Sequence, residues 1–411
     1  MITVERALQL ILDSTSALES VKIPLLNARG KVLAEDIVAE DDVPSFNYAS
    51  TTGYAVRSAD VARASFNNPV PIQLDGNLLP GQQWDQPLKS RHTIKINMGA
   101  LLPNEADSVL PEEHAVRQTN KKLLIYRAAR AGSNIRCKGE DIQKGTLVLL
   151  KCKRLNAADI GTLSALGFKE VKCFRTPQVS FLTSGSGLTD DNGLVPDSRI
   201  RLANRYTFYS QLYDYGAEPV DLGVTDHNCA EIKEKVTEGF KYDMFVSMVG
   251  HSYEDFSFMK KMLEQLGMDT KFWKVAVKPA APIIFGIYNK KIPVFGLSGT
   301  PFAFYVMLEQ FVRPVLMKMT GCEILKRTEI QAMLTKDIKS DGGVTSYMGG
   351  TYSWNENGFV IAPDFRKSSS IRALTSVNGL IVIPPNVGFL KAGSKVTVQV
   401  IDGPAAAFSC N

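Results

Sequence analysis

The chain has 411 residues, 45% of them hydrophobic and 22% charged, a composition that fits a globular protein with more than one core. Its formal charge of +5, from 47 basic and 42 acidic residues mixed along the chain, is too small to point to nucleic acid and suits a small anionic ligand. No apolar run approaches the roughly 20 residues of a membrane span, and the N-terminus has no signal-peptide pattern.

Six cysteines (Cys137, Cys152, Cys173, Cys229, Cys322, Cys410) contain no C-x-x-C pair, so a reduced, cytoplasmic protein is expected. His92, His114, His227 and His251 lie at no helical metal-ligand spacing from one another or from a cysteine, which argues against a histidine metal centre.

In chain order, Thr3 is placed to cap a helix running to about Ala17, with Val4, Ala7, Leu8 and Ile11 at helical spacing. "GKVLAEDIVAEDDVPSF" reads as strand or extended chain. From Pro44 to Arg130 short β patterns ("YAVR", "PVPIQL", "HTIKIN", "KKLLIYRAA") are separated by Pro, Gly and Asn turns, which predicts an inserted β module. "AGSNIRCKGEDIQKGTLVLLKCKRL" returns to the first layer and leads into a helix capped by Asn156, with Ile160, Leu163 and Leu166 inward and Gly167 as its stop.

Between Pro177 and Gly321 strand, loop and helix alternate, ending with "KIPVFGL" and one long helix, "PFAFYVMLEQFVRPVLMKMTG". This predicts a parallel, doubly wound α/β domain, in which ligands sit beyond the carboxyl ends of the strands. The remainder is β-rich, with an Asn-Gly hairpin corner in "TYSWNENGFVIA". The expected division is 1–43 with 131–176, an inserted 44–130, an α/β part over 177–322 and a β part over 323–411.

Three loops fall where that rule places a ligand: Ser184-Gly185-Ser186-Gly187, Gly250-His251-Ser252 and Ser298-Gly299-Thr300-Pro301. Thr300 and Pro301 occupy N-cap and N1 positions, so this loop ends at the positive pole of a helix, suited either to a phosphate or to an ordinary capped turn. Arg205, Lys274 and Lys278 are the cations nearest these loops in sequence. In "GSNIRCKGEDIQKG", Arg136, Lys138, Glu140 and Asp141 lie between glycines, as they would in a charged surface turn.

In order, "DVPSF", "GYAVRSAD", "GSNIRCKGEDI", "LSALGF", "FWKVAVKP" and "FGLSGTP" resemble the molybdopterin molybdenumtransferase family, that of MoeA and the gephyrin E domain. The resemblance implies an elongated homodimer of four-part subunits, with the site between the α/β domain of one subunit and parts of the other. It also implies insertion of molybdate into adenylated molybdopterin, with magnesium as cofactor; Glu140 and Asp141, within the matched "GSNIRCKGEDI", are the candidate catalytic acids that this sequence offers. Asn204 is added as a ligand-binding candidate only by the family resemblance.

Several acids of the family pattern are replaced here, by Thr52, Ser186, Gly187, Leu202 and Ser257, while Arg136, Arg205, Lys274 and Lys278 remain. Magnesium needs one or two carboxylates, whereas phosphate binding by helix termini and cations does not. Three readings follow: a working transferase with relocated acids (Glu140, Asp141, Glu254, Asp255); a molybdopterin-binding scaffold paired with another molybdenum-cofactor protein; or a diverged enzyme acting on another phosphorylated heterocycle.

Overall fold

The computed structural model describes residues 1–185, 188–189, 200–225, 228–250, 253–279 and 282–403. They form two compact units: Met1–Ala34, Cys152–Asn156 and Val171–Asn411 make one, Glu35–Lys151 and Ala157–Glu170 the other.

The first unit is built around a six-stranded sheet in the order Glu218–Thr225, Gln178–Ser184, Met244–Val249, Ile292–Ser298, Pro282–Tyr288, Met268–Lys274. The first four strands are parallel, as the strand and helix alternation predicts. Side chains along Gln178–Ser184 alternate between faces: Val179 and Phe181 share a core with Phe208 and Leu212 of helix Ala203–Asp214. Leu182 shares the opposite core with Ile232, Val236 and Phe256 of helices Cys229–Gly239 and Tyr253–Gln265. Helices therefore cover both faces, and the sheet is doubly wound.

The last two strands depart from the parallel expectation. Pro282–Tyr288 is antiparallel to both neighbours, because the short Asn289–Lys291 turn leaves no chain for a crossover to a parallel partner. The single β run expected in "FWKVAVKP" is also split. Met268–Lys274 ends the central sheet, whereas Val277–Lys278 pairs in parallel with Thr345–Ser346 of a second sheet.

The expected long helix has three parts: α-helical Pro301–Met307, a π-helical turn over Leu308–Val312, and α-helical Arg313–Met319. Pro314 has no N–H to offer the preceding turn and its ring crowds the carbonyl behind it, so the wider turn lets the rod continue. The N-terminal helix spans Val4–Asp13, with the Thr3 hydroxyl accepting the Arg6 N–H at 3.2 Å. It stops short of Ala17, where the Ser14 and Thr15 hydroxyls donate to the Leu10 and Ile11 carbonyls at 2.8 Å each.

In the second sheet of this unit Thr345–Asn355 pairs with both Gly358–Pro363 and Gly379–Ile383, so five strands close on themselves around Tyr352, Ile361, Ile381 and Val398. Its hairpin corner is Glu356-Asn357, one residue before the expected Asn-Gly, and Gly358 takes φ 107° as the first paired residue.

The other unit holds a six-stranded sheet in the order Ser108–Pro111, Gly53–Val56, His92–Ile96, Val70–Leu78, Lys122–Ile125, Ala115–Thr119. Beside it the two motif loops pack together. Tyr48–Ala49 pairs antiparallel with Ile135–Arg136, the Asn47 Oδ1 accepts the Lys138 N–H at 2.7 Å, and the Pro44 carbonyl accepts the Gly139 N–H at 2.9 Å. Gly139 has φ 69°, and a Cβ there would stand 3.0 Å from the Asp42 carboxylate, so the motif glycine is required by both backbone and space. Helix Ala157–Ala165 buries Leu163 and ends before Gly167 at φ 85°.

Candidate functional site

A cavity of about 340 Å³ lies at the carboxyl ends of the parallel strands. Thr183, Ser184 and Gly185 come from the end of one strand, Met248, Val249 and Gly250 from its neighbour, and Gly299 and Pro301 from the loop after the next. Leu202, Ala203 and Asn204, at the start of helix Ala203–Asp214, form another wall. This is the position that doubly wound sheets reserve for ligands.

Two helix N-termini converge here, those of Ala203–Asp214 and of the rod beginning at Pro301, and neither N-cap side chain bonds its helix. Leu202 holds the N-cap position of the first with an apolar side chain that has no acceptor to give. At the second, Thr300 stands at the N-cap without bonding the helix, and the Phe302 N–H donates to the Ser368 carbonyl at 3.0 Å. The two ends are tied by the Asn204 Nδ2, which donates to the Gly299 carbonyl at 2.6 Å.

Asp255 is the one carboxylate lining the cavity among the described residues. It comes from the first turn of helix Tyr253–Gln265 and lies directly over Gly250, where any Cβ would overlap its carboxylate. Ser257, one of the replaced acid positions, is half-buried on the same helix and does not line the cavity. Ser186, Gly187 and Ser252 lie outside the described residues.

The cations have protein partners. The Arg205 Nε donates to the Asp221 carboxylate at 2.7 Å, with both side chains mostly covered. Lys274 sits over the Trp273 and Tyr253 rings, 4.4 and 5.3 Å from their centroids, and Lys278 pairs with Asp341 on the surface. Ser298 is buried and its hydroxyl lies 3.4 Å from that of Thr300.

Arg136, Glu140, Asp141 and Thr52 belong to the other unit. Arg136 pairs with Glu140, whose second oxygen accepts the Cys137 N–H at 2.7 Å. Asp141 is exposed and donates its N–H to the Val43 carbonyl at 3.1 Å. The Thr52 hydroxyl accepts the Met98 N–H at 3.1 Å, which ties its loop to the one after strand His92–Ile96.

The sequence reading did not find Arg201, Ser369 and Ile371, which also line the cavity. The last two come from the C-terminal part of the chain, and the run Ser368-Ser369-Ser370 between Lys367 and Arg372 was the available signal.

Comparison with known proteins agrees with this arrangement. Residues 2–167 match the MoeA N-terminal region (domain I and II), 181–318 a probable molybdopterin binding domain, and 331–401 the MoeA C-terminal region (domain IV). A molybdopterin molybdenumtransferase of Bacillus subtilis is 30% identical over 408 residues, covering 97% of this chain and 94% of its own length. The chain belongs to the molybdopterin molybdenumtransferase family. A relative of that name from Haemophilus influenzae is 28% identical, over 97% of this chain and 98% of its own. Among solved structures, the molybdopterin biosynthesis MoeA protein of Pyrococcus horikosii superposes with a TM-score of 0.86 at 28% identity, covering 98% of this chain and 100% of that one. Like that family, the chain combines a central α/β domain with β-rich flanking regions. None of the helices among the described residues is long and apolar enough to cross a membrane.

Proposed function

We propose that the cavity binds a phosphorylated pterin, molybdopterin or its adenylate, and that the protein uses it in molybdenum cofactor biosynthesis. The observation that carries this reading is the convergence of two helix N-termini without side-chain caps on one cavity at the sheet's carboxyl edge. The aligned peptide dipoles there favour an anion such as the pterin phosphate. The mainly apolar walls from Leu202, Met248, Val249, Pro301 and Ile371 suit the flat heterocycle.

Magnesium has a narrower fit. Among the described residues there is no group of three or more Asp, Glu, His or Cys placed to hold a metal, and Asp255 is the cavity's one carboxylate. A single carboxylate suffices for magnesium only when substrate phosphates supply further oxygens, so Asp255 would hold the ion through the bound ligand. Bound there, magnesium would supply a Lewis acid for cleavage of the adenylate. Retained pterin binding with slow insertion of molybdate is therefore the expected phenotype, and the cytoplasm the expected compartment.

The assembly we propose is a homodimer. Tyr206, Tyr209 and Tyr213 stand exposed along one face of helix Ala203–Asp214, with Tyr209 and Tyr213 edge to face at 5.6 Å. Tyrosines presented in a row are typical of an interface core, because they bury large area at small entropy cost.

Rescue of a strain lacking its molybdenumtransferase tests turnover. Partial rescue, abolished by Asp255→Asn, is expected. Absence of rescue in a protein that still binds molybdopterin leaves the binding role and removes the enzymatic one.

A further inference from the structure

The helices that bring Asn204 and Pro301 to the cavity are joined a second time, away from it, by a buried carboxylate at the middle of the rod. Tyr215, the C-cap of helix Ala203–Asp214, donates its hydroxyl to Glu309 Oε1 at 2.8 Å. Glu309 lies on the π-helical turn of the rod that starts at Pro301, and its side chain has no exposed surface. From Asn204 to Tyr215 and from Pro301 to Glu309 the distances along the helices are roughly 16 and 12 Å at 1.5 Å per residue. The two helices are thus tied at two levels, by the Asn204 to Gly299 bond at the cavity and by Tyr215 to Glu309 at the C-cap of the first and the middle of the rod.

The same carboxylate also holds the chain leading into the C-terminal sheet. The Arg327 Nε donates to Glu309 Oε2 at 2.8 Å and its Nη2 to Oε1 at 3.0 Å. The next residue of the π turn, Gln310, donates its Nε2 to the Gln399 side chain at 2.7 Å, and Gln399 donates in turn to Glu329 at 3.2 Å. The C-terminal sequence supplies Ser369 and Ile371 to the cavity, and its Ser368 carbonyl accepts the Phe302 N–H. Burial, and after it the neighbouring carboxylate, holds the Tyr215 phenol well above its usual range, so it stays a donor.

A largely apolar rod gains nothing from a buried acid unless the acid fixes a geometry. Phe304, Met307, Leu308, Phe311 and Val312 around Glu309 are all buried and apolar, and an isolated buried charge costs stability unless every oxygen is satisfied. Three donors satisfy this one, and they come from two separate parts of the chain. We propose that Glu309 is a positioning residue for the cavity: its bonds to Tyr215 and Arg327 set the spacing of the two helix N-termini and hold the Ser368–Ile371 segment against them. This rests on the cavity being the pterin site, but the clamp itself is testable without ligand.

The test compares the full-length protein with Tyr215→Phe, which removes one hydroxyl and keeps the Glu309 to Arg327 pair, and with Glu309→Gln. Hydrogen exchange is read in the ligand-free protein on the segments 299–304 and 366–372, and the Kd for molybdopterin is measured well below the melting temperature. In Tyr215→Phe, exchange at both segments is expected to quicken about threefold or more, with Kd weakened about fivefold to tenfold. Glu309→Gln should do more of both. Unchanged exchange at these two segments in Tyr215→Phe, even with a lower melting temperature, overturns the proposal and leaves Glu309 a structural acid only. Should Glu309→Gln fail to fold, Tyr215→Phe alone decides. If the wild type does not bind molybdopterin, the pterin reading falls while the exchange result still decides the clamp.

Discussion

At the scale of single residues, the cavity depends on contacts that leave little room for substitution. Gly250→Ala would force a methyl group into the Asp255 carboxylate and displace the one acid that lines the cavity among the described residues. We expect magnesium-assisted binding of molybdopterin to weaken about tenfold or more, about 1.4 kcal/mol, by calorimetry, while melting shifts only a few degrees. In the other unit Gly139→Ala combines a left-handed φ with crowding of Asp42, and should cost about 1–2 kcal/mol in a denaturant titration. The cavity-lining loop residues Ser184, Gly185, Gly250, Gly299 and Pro301 were legible in the sequence because the parallel α/β pattern fixes where strand ends meet. The partners of the cations were not. Asp221 beside Arg205 and Asp341 beside Lys278 are contacts made by folding, and no local spacing encodes them.

Elements show the same division between local rule and long-range placement. The four parallel strands and their helices follow from apolar periodicity, whereas the antiparallel pair at the sheet's far side depends on the length of a turn. The π-helical turn follows from Pro314, but its consequence, two buried polar residues facing partners from elsewhere, is visible only in three dimensions. At the amino ends of the strands Gln178–Ser184 and Met244–Val249 in the same sheet, Arg175 forms a two-pronged bond with Asp243 at 2.7 Å on each arm and also bonds Glu19. Burial alone would raise the Asp243 carboxyl, but the bonds from Arg175 and the Gln178 N–H outweigh it and hold the group below the usual aspartate range. A carboxyl with a depressed folded value contributes its stability above the unfolded value and loses it as pH falls through the folded one. The wild type should therefore lose stability as pH drops below about 4, and Arg175→Ala should flatten that limb while costing about 2–4 kcal/mol at neutral pH. Thermal melts from pH 2 to pH 7 check both.

For the whole molecule, the family was legible because its motifs run from the first β loop to the C-terminal sheet, and three successive family regions match in the same order. What the sequence alone left open was how many acids the site retains. The replaced positions left Glu254 and Asp255 as the candidate acids near the α/β loops, and of the two Asp255 lines the cavity, two residues before the aligned position, because the helix begins one turn from Gly250. The proposed dimer is tested by light scattering on the intact chain. A dimer that dissociates on Tyr209→Glu with Tyr213→Glu supports the tyrosine face, and a monomeric wild type removes it.

The most direct test of the central claim is calorimetric titration of molybdopterin into the wild type and into Asp255→Asn, each with and without magnesium. The account predicts binding by both proteins without magnesium, and tightening by magnesium in the wild type alone. No binding by the wild type, or equal tightening in both, would contradict it.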